Sequence, residues 1–137
     1  MEIETTRFGK LKIDDSKIIF FPSGVLGFPT AKRYVLIPLT DDSPFLWLQA
    51  VDIPDLAFLV VFPKEIFEDY DPQIPLETLK DLHVQNGDEL EILGIVTVPS
   101  NRPQEMTVNL MGPIIVNVDK KLAKQIVLDQ NYPLKQP

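Results

Sequence analysis

Cysteine is absent from these 137 residues, which removes disulfide frameworks, zinc–thiolate sites and thiol nucleophiles together and is compatible with a reducing compartment. Histidine is almost absent too. His83 is the only one, so a zinc site would have to be assembled mostly from carboxylates, and a Ser-His-Asp constellation has a single histidine to draw on. It follows a short helical pattern and reads as solvent-facing. Long apolar runs are also lacking: the longest, Leu56 to Phe62, is far too short to span a bilayer, and the first ten residues hold no apolar signal core. Positive charge is scarce, with 13 Lys and Arg against 20 Asp and Glu for a net charge of −7. Direct binding to nucleic acid is therefore disfavoured, since that needs a basic face to displace counterions from phosphates. These absences lead us to expect a soluble, cytoplasmic protein that uses neither a membrane nor a cofactor.

Proline, by contrast, is abundant. The 13 prolines are about twice ordinary usage and fall between apolar runs, the pattern of short strands joined by stiff turns. Phe8–Ile13 alternates at period two, Asp14-Asp15 reads as a turn and Lys17–Phe21 runs back, so the chain is expected to open with a hairpin of these two segments. Tyr34–Leu39, Phe45–Val51 and Leu56–Phe62 follow at meander spacing. Trp47 and Gln49 share a face opposite Leu46, Leu48 and Ala50, so both faces of that strand must be covered and the tryptophan reads as core. After Pro63 the period changes. Lys64–Tyr70 allows one or two helical turns, and Pro75–Leu82 places Leu76, Leu79 and Leu82 near one helical face. Asn86-Gly87 is a turn, Glu89–Val98 returns to strand, and Pro99–Pro103 is a loop. Asp119–Lys124 reads as a connection, Gln125–Leu128 as a last strand, and 131–137 as a polar tail. The sum is one domain, mainly all-β: a small closed or nearly closed antiparallel β-barrel of about eight to nine strands with one or two short helices.

The stretch around which the others are arranged is Thr107-Val-Asn-Leu-Met-Gly-Pro-Ile-Ile-Val-Asn117. Its β-branched residues suit a buried strand, but Pro113 lacks an N–H, so the strand must carry an edge, bend or bulge there. Asn109 and Asn117 sit inside this apolar sequence and are expected to close structural hydrogen bonds.

Chemistry is hard to place. With 20 acids, some carboxylate pair always resembles a general acid and base, and that alone says little. A carboxylate-based hydrolase or a divalent-cation-binding domain stays as the alternative class, although the EF-hand ligand spacing is missing around Asp69 and Asp71. Phe21–Phe28 has two glycines three apart, but lacks the Lys-Ser/Thr and βαβ setting of a phosphate loop. Its apolar side chains are expected to tuck under a barrel end. The charge, however, is concentrated. Residues 64–91 hold nine acids against Lys64 and Lys80, which equals the entire net charge of −7. An acidic segment on a near-neutral scaffold suits a basic protein partner, where complementary charge speeds encounter. Glu65, Glu68, Asp69, Tyr70, Asp71, Asp88 and Glu89 are the candidate partner-binding residues on this reading. Val25, Leu26, Phe28 and Phe67 are the alternative apolar anchors.

Six stretches in order, Phe20–Phe28, Pro44–Gln49, Leu56–Phe58, Tyr70, Ile95–Thr97 and Thr107–Asn117 followed by Gln125, resemble the flagellar assembly factor FliW family over nearly the whole chain. The family often has alanine where this chain has Gly112. The resemblance implies a small cytoplasmic β-barrel without catalytic activity, monomeric when free, that acts by partner exchange. Its members bind the RNA-binding translational repressor CsrA and also flagellin; once flagellin is secreted, the factor is free to hold the repressor and flagellin translation resumes. Phe45, Trp47, Gln49 and Asn109 match family positions that read as structural.

Overall fold

The computed structural model describes the chain apart from residues 41, 100–101, 129–131, 134–135 and 137. The first departure from expectation is at the N-terminus. Strand β1 (Glu2–Thr5), not read from the sequence, pairs with β2 (Gly9–Lys12) in the register Ile3↔Leu11. The expected pairing of 8–13 with 17–21 does not form. Thr5 Oγ1 accepts from the Phe8 amide at 2.8 Å and donates to the Gly9 carbonyl at 2.9 Å, while Gly9 takes φ +70, so the chain folds back onto its own first residues. Asp14 then accepts from the Ser16 amide at 3.0 Å and starts a 3₁₀ turn at Asp15–Lys17, which leads the chain away into β3 (Ile19–Phe20).

The remaining strands are β4 (Arg33–Pro38), β5 (Leu46–Ala50), β6 (Ala57–Val61), β7 (Leu90–Thr97), β8 (Thr107–Val108), β9 (Ile114–Asn117) and β10 (Leu122–Gln125). They run in the order β6-β5-β4-β3-β10-β9-β7, and a β6–β7 pairing closes the ring, leaving β8 as an extra strand on β7. Closure leaves the ring without free edges. The barrel is the expected one with a single exception to its antiparallel pairing: β3 and β10 meet in parallel through Leu122↔Phe20, where the N-terminal entry and the last hairpin arm lie side by side. That last strand also starts earlier than Gln125. Lys120 N–H donates to Asn117 Oδ1 at 3.2 Å and Lys121 takes φ +56, which turns the chain within a few residues and releases Leu122 into pairing with Asn117.

Two short helices, α1 (Pro63–Ile66) and α2 (Leu76–Asp81), lie between β6 and β7. On α2 the leucines do not share a face as expected. Leu76 is 76% exposed, and the buried side chains are Thr78 and, just past the helix, Leu82. A helix of six residues makes under two turns, so its first residue can lie clear of the surface on which its end packs.

Packing falls into three clusters. The barrel interior holds Phe21, Val25, Tyr34, Leu48, Val60, Leu93, Ile114 and Val116. One outer flank, of Ile3, Val35 and Val51, is covered by the N-terminal hairpin, whose tip residue Arg7 lies 3.8 Å from the Trp47 ring centroid. The single tryptophan is therefore half-buried under a cation rather than sunk in the core, while Gln49 beside it is fully buried. The other flank gathers Val61, Tyr70, Leu82, Ile92, Val108 and Ile115 beneath the helical crossover. With both faces covered, β9 buries all four of its residues, which accounts for its unbroken apolar sequence.

The stretch from Thr107 to Asn117 is one pairing path along β7 with a bulge inside it. From Val96↔Val108 to Leu93↔Ile114 the path advances three residues on β7 and six on the other side, so three residues are extra. An odd insertion reverses which face each side chain takes. It lets Val108 sit on the outer flank with Val96, and Ile114 inside with Leu93. Asn109 Oδ1 folds the bulge by accepting from Met111 N at 3.1 Å and Gly112 N at 2.8 Å.

The two asparagines thus differ. Asn109 is half-buried and bonds through its oxygen; Asn117 is fully buried, with Nδ2 donating to the Leu82 carbonyl at 2.9 Å and to Asp88 Oδ2 at 3.2 Å. Asn117→Asp removes those donors and places a carboxylate against another, so urea denaturation should show a loss of about 2–5 kcal/mol. Asn109→Asp keeps the accepting oxygen and should lose less than about 1 kcal/mol. Equal losses at the two positions would contradict this assignment.

Candidate partner-binding surface

The acidic segment leaves the barrel at the end of β6. Pro63 opens α1 and is buried, over a point where β7 carries Gly94. A Cβ built on Gly94 would lie 2.7 Å from Val108 Cγ1 and 3.0 Å from Pro63 Cγ, so the close approach of β8 and α1 over β7 requires glycine. Phe67 N–H then donates to the Pro63 carbonyl at 2.7 Å, and Tyr70 N–H to the Phe67 carbonyl at 3.0 Å. Tyr70 ends the arm as a buried bolt. Its O–H donates to the Leu110 carbonyl at 2.7 Å and its ring meets Tyr132 edge-on at 4.8 Å. Burial, with Tyr132 adding to it, holds the phenol well above its ordinary range.

Tyr70 is thus withdrawn from the expected docking residues, because a side chain 3% exposed presents nothing to a partner. Phe67 is half-buried and packs on the same cluster. Glu65, Glu68, Asp69 and Asp71, by contrast, are all exposed. The arm is therefore fixed from below by aromatic side chains and presents carboxylates above.

At the start of β7 the acids divide. Asp88 Oδ2 accepts from Lys120 Nζ at 2.9 Å, the Gln85 amide at 3.0 Å and Asn117 Nδ2. The Lys120 bond first, then the Gln85 amide, hold its carboxyl below the usual range. Asp88 is accordingly a structural residue, its side chain only 11% exposed, and it too leaves the docking set. Glu89 stays exposed. Glu91 is half-buried, and its carboxyl is raised first by desolvation, then by its hydrogen bond with Glu89 and the charges of Glu89 and Glu65, against a small opposing effect of Lys64. These effects place Glu65, Glu89 and Glu91 in one electrostatic group, which joins the arm to the strand. No group of three or more His, Asp or Glu side chains among the described residues is arranged to hold a metal ion.

The apolar loop occupies the other end of the barrel. Of the four apolar side chains expected to tuck under a barrel end, only Phe21 and Val25 are buried in the interior, which excludes Val25 as a surface anchor. Leu26 and Phe28 are 59% and 43% exposed. Phe28 packs edge-on against Phe58 at 5.4 Å, near the start of β6, whereas α1 leaves from the end of that strand. A residue not singled out for the site fastens this loop: Gln125 accepts from the Leu26 amide at 2.9 Å through Oε1 and donates to the Gly112 carbonyl at 2.9 Å through Nε2. A polar side chain at the head of the otherwise apolar run Gln125–Leu128 was the available signal.

The raised carboxyl of Glu91 has a consequence for stability. A carboxyl with a higher folded than unfolded pKa binds more protons in the folded state, so its contribution falls as pH rises from just below the ordinary glutamate value to above the raised one. Glu91→Gln should therefore raise the urea midpoint at pH 7, and the gain should vanish as pH falls below about 4. A gain that persists in acid, or a loss at pH 7, would contradict this electrostatic reading.

Comparison with known proteins supplies the family. A family model described as FliW protein matches residues 2–137. The flagellar assembly factor FliW of Magnetococcus marinus is 43% identical over 137 residues, covering all of this chain and 84% of that protein. The one from Geobacter sulfurreducens is 46% identical over 138 residues, covering all of this chain and 86% of its own length. A crystal structure of the flagellar assembly factor FliW superposes with a TM-score of 0.91 at 34% identity, over 99% of this chain and 95% of that one. The architecture, the order of the quoted stretches and these matches agree, and the chain belongs to the FliW family of flagellar assembly factors.

Proposed function

We propose that this chain works in the cytoplasm by partner exchange without a catalytic step, binding the RNA-binding repressor CsrA in one complex and flagellin in another, so that each lowers the share of the factor free for the other. The thermodynamic logic is linkage: where two complexes exclude each other, occupancy of the repressor reports the amount of free flagellin. The observation that carries the reading is the mounted acidic arm. Glu65, Glu68, Asp69 and Asp71 are exposed on a segment held by Pro63, Phe67 and Tyr70, and Glu89 extends the same charge. Rigid like charges present their field without an ordering cost on encounter, which favours capture of a basic surface and repels RNA approaching beside it. The exposed Leu26 and Phe28, at the other barrel end, remain the alternative apolar anchors.

The test uses Glu68→Lys, Asp69→Lys and Asp71→Lys together. Each acid is exposed and should contribute at most about 1 kcal/mol to folding, so the urea midpoint should hold. Affinity for purified CsrA should fall by about tenfold or more, mainly in the association rate, and wild-type affinity should weaken with salt as the Debye length shrinks to about 3 Å at 1 M. A folded triple variant with wild-type affinity and salt dependence would make these acids a solvated face and move the docking site to Leu26 and Phe28.

A further inference from the structure

The barrel end opposite the Phe21–Ala31 loop is hollow. Here the β4, β6 and β9 ends and the first residues of β7 and β10 surround a cavity of about 540 Å³, within the range of about 300–1,000 Å³ in which proteins hold small ligands. Its walls are hydrocarbon: Leu36, Phe62, Leu93, Val116 and Val118 line it from the ring, and the segment from Leu11 to Lys17 crosses it as a strap. The acidic arm leaves this same end after Phe62, and the apolar loop lies at the other.

Five charged residues line the same cavity, Lys12, Asp14, Lys17, Glu91 and Lys121, and they divide by side and by availability. Lys121 Nζ is held by the Val118 carbonyl at 2.5 Å. Asp14 is engaged in its own turn, accepting from the Ser16 amide at 3.0 Å. Glu91 stands on the β7 wall, and the charges of Glu89 and Glu65 act on it. Lys12 and Lys17, both exposed on the strap, form no ion pair among the described residues. The mouth thus has two lysines without ion pairs on the strap, with the Asp14 carboxylate between them in sequence, and an acidic side on β7, above a hydrocarbon interior.

We infer that this cavity binds a monomeric anionic amphiphile, a medium-chain carboxylate, with its tail among the partly exposed Leu36, Phe62 and Val118 and its head toward Lys12 and Lys17. The chemistry sets two separate dependences. Each methylene buried against hydrocarbon is worth about 0.8 kcal/mol, a gain of about fourfold in affinity, so chain length governs strength. The exposed lysines add less and govern which head group is preferred. Glu91 opposes an anion on its own side, which orients the ligand.

Calorimetric titration of the full chain at neutral pH with hexanoate, octanoate and decanoate, each below its micelle concentration, tests this. Affinity should rise about fourfold per methylene, with amide shifts in heteronuclear spectra concentrated at Leu36, Phe62 and Val118. The double variant Lys12→Glu and Lys17→Glu lies on the exposed strap and should remain folded. It should lose decanoate affinity by about fivefold or more while keeping decanol binding, since an alcohol needs no cation. Val118→Trp should fill the cavity and abolish both. Absence of heat and of shifts with decanoate, an affinity independent of chain length, or equal effects of the lysine variant on decanoate and decanol would each overturn the inference. So would co-sedimentation with phosphatidylglycerol vesicles, because a recessed site for a single chain should leave the protein in the supernatant.

Discussion

The structure depends on the satisfaction of one bulge. Between Asn109 and Pro113 the backbone leaves β7, and buried peptide groups there would each cost about 1–3 kcal/mol if left without partners. None of the bulge amides is. Asn109 N donates to Ile95, Leu110 N to Pro133, and Met111 and Gly112 N to Asn109 Oδ1; Pro113 has no donor to satisfy. The carbonyls of Leu110, Met111, Gly112 and Pro113 accept from Tyr70 O–H, Leu128 N, Gln125 Nε2 and Ile126 N. Groups from the acidic arm, the end of β10 and the residues beyond it thus converge on five residues.

That convergence joins the parts used for binding to the parts that fold. Through Tyr70 the bulge fixes the far end of the acidic arm; through Gln125 it fixes the apolar loop at Leu26. The same insertion reverses side-chain parity, so that one path can serve the outer flank before it and the barrel interior after it. A barrel with both faces of several strands covered could not otherwise pair Val108 with Val96 and Ile114 with Leu93 in register.

Much of this was legible in sequence for physical reasons. The central strands carry β-branched runs bounded by Pro, Gly and Asp, and Pro113 announced an interruption because a proline cannot donate within a ladder. The acidic arm was visible as charge. Its usable part was not, because Asp88 and Glu68 look alike in sequence, and only the fold shows that Lys120, brought from thirty-two residues away, neutralises one of them. Tyr70 was misread as a partner-binding residue for a similar reason: an aromatic residue among acids suits either a docking surface or a bolt, and the partner that decides, the Leu110 carbonyl, is forty residues distant. The N-terminal hairpin was misplaced because a local side-chain bond from Thr5 outweighed the Asp14-Asp15 turn signal. The cavity left no sequence mark, since its walls come from strands that each read as ordinary core.

The claim that the bulge mounts the acidic arm is tested most directly by hydrogen exchange in Tyr70→Phe. This variant keeps the ring and removes only the bond to the Leu110 carbonyl, a loss of about 1–2 kcal/mol. Exchange should accelerate at the amides of residues 64–71, while β4 and β5 keep wild-type protection. Unchanged exchange in the arm, or an equal acceleration in every strand, would contradict the account.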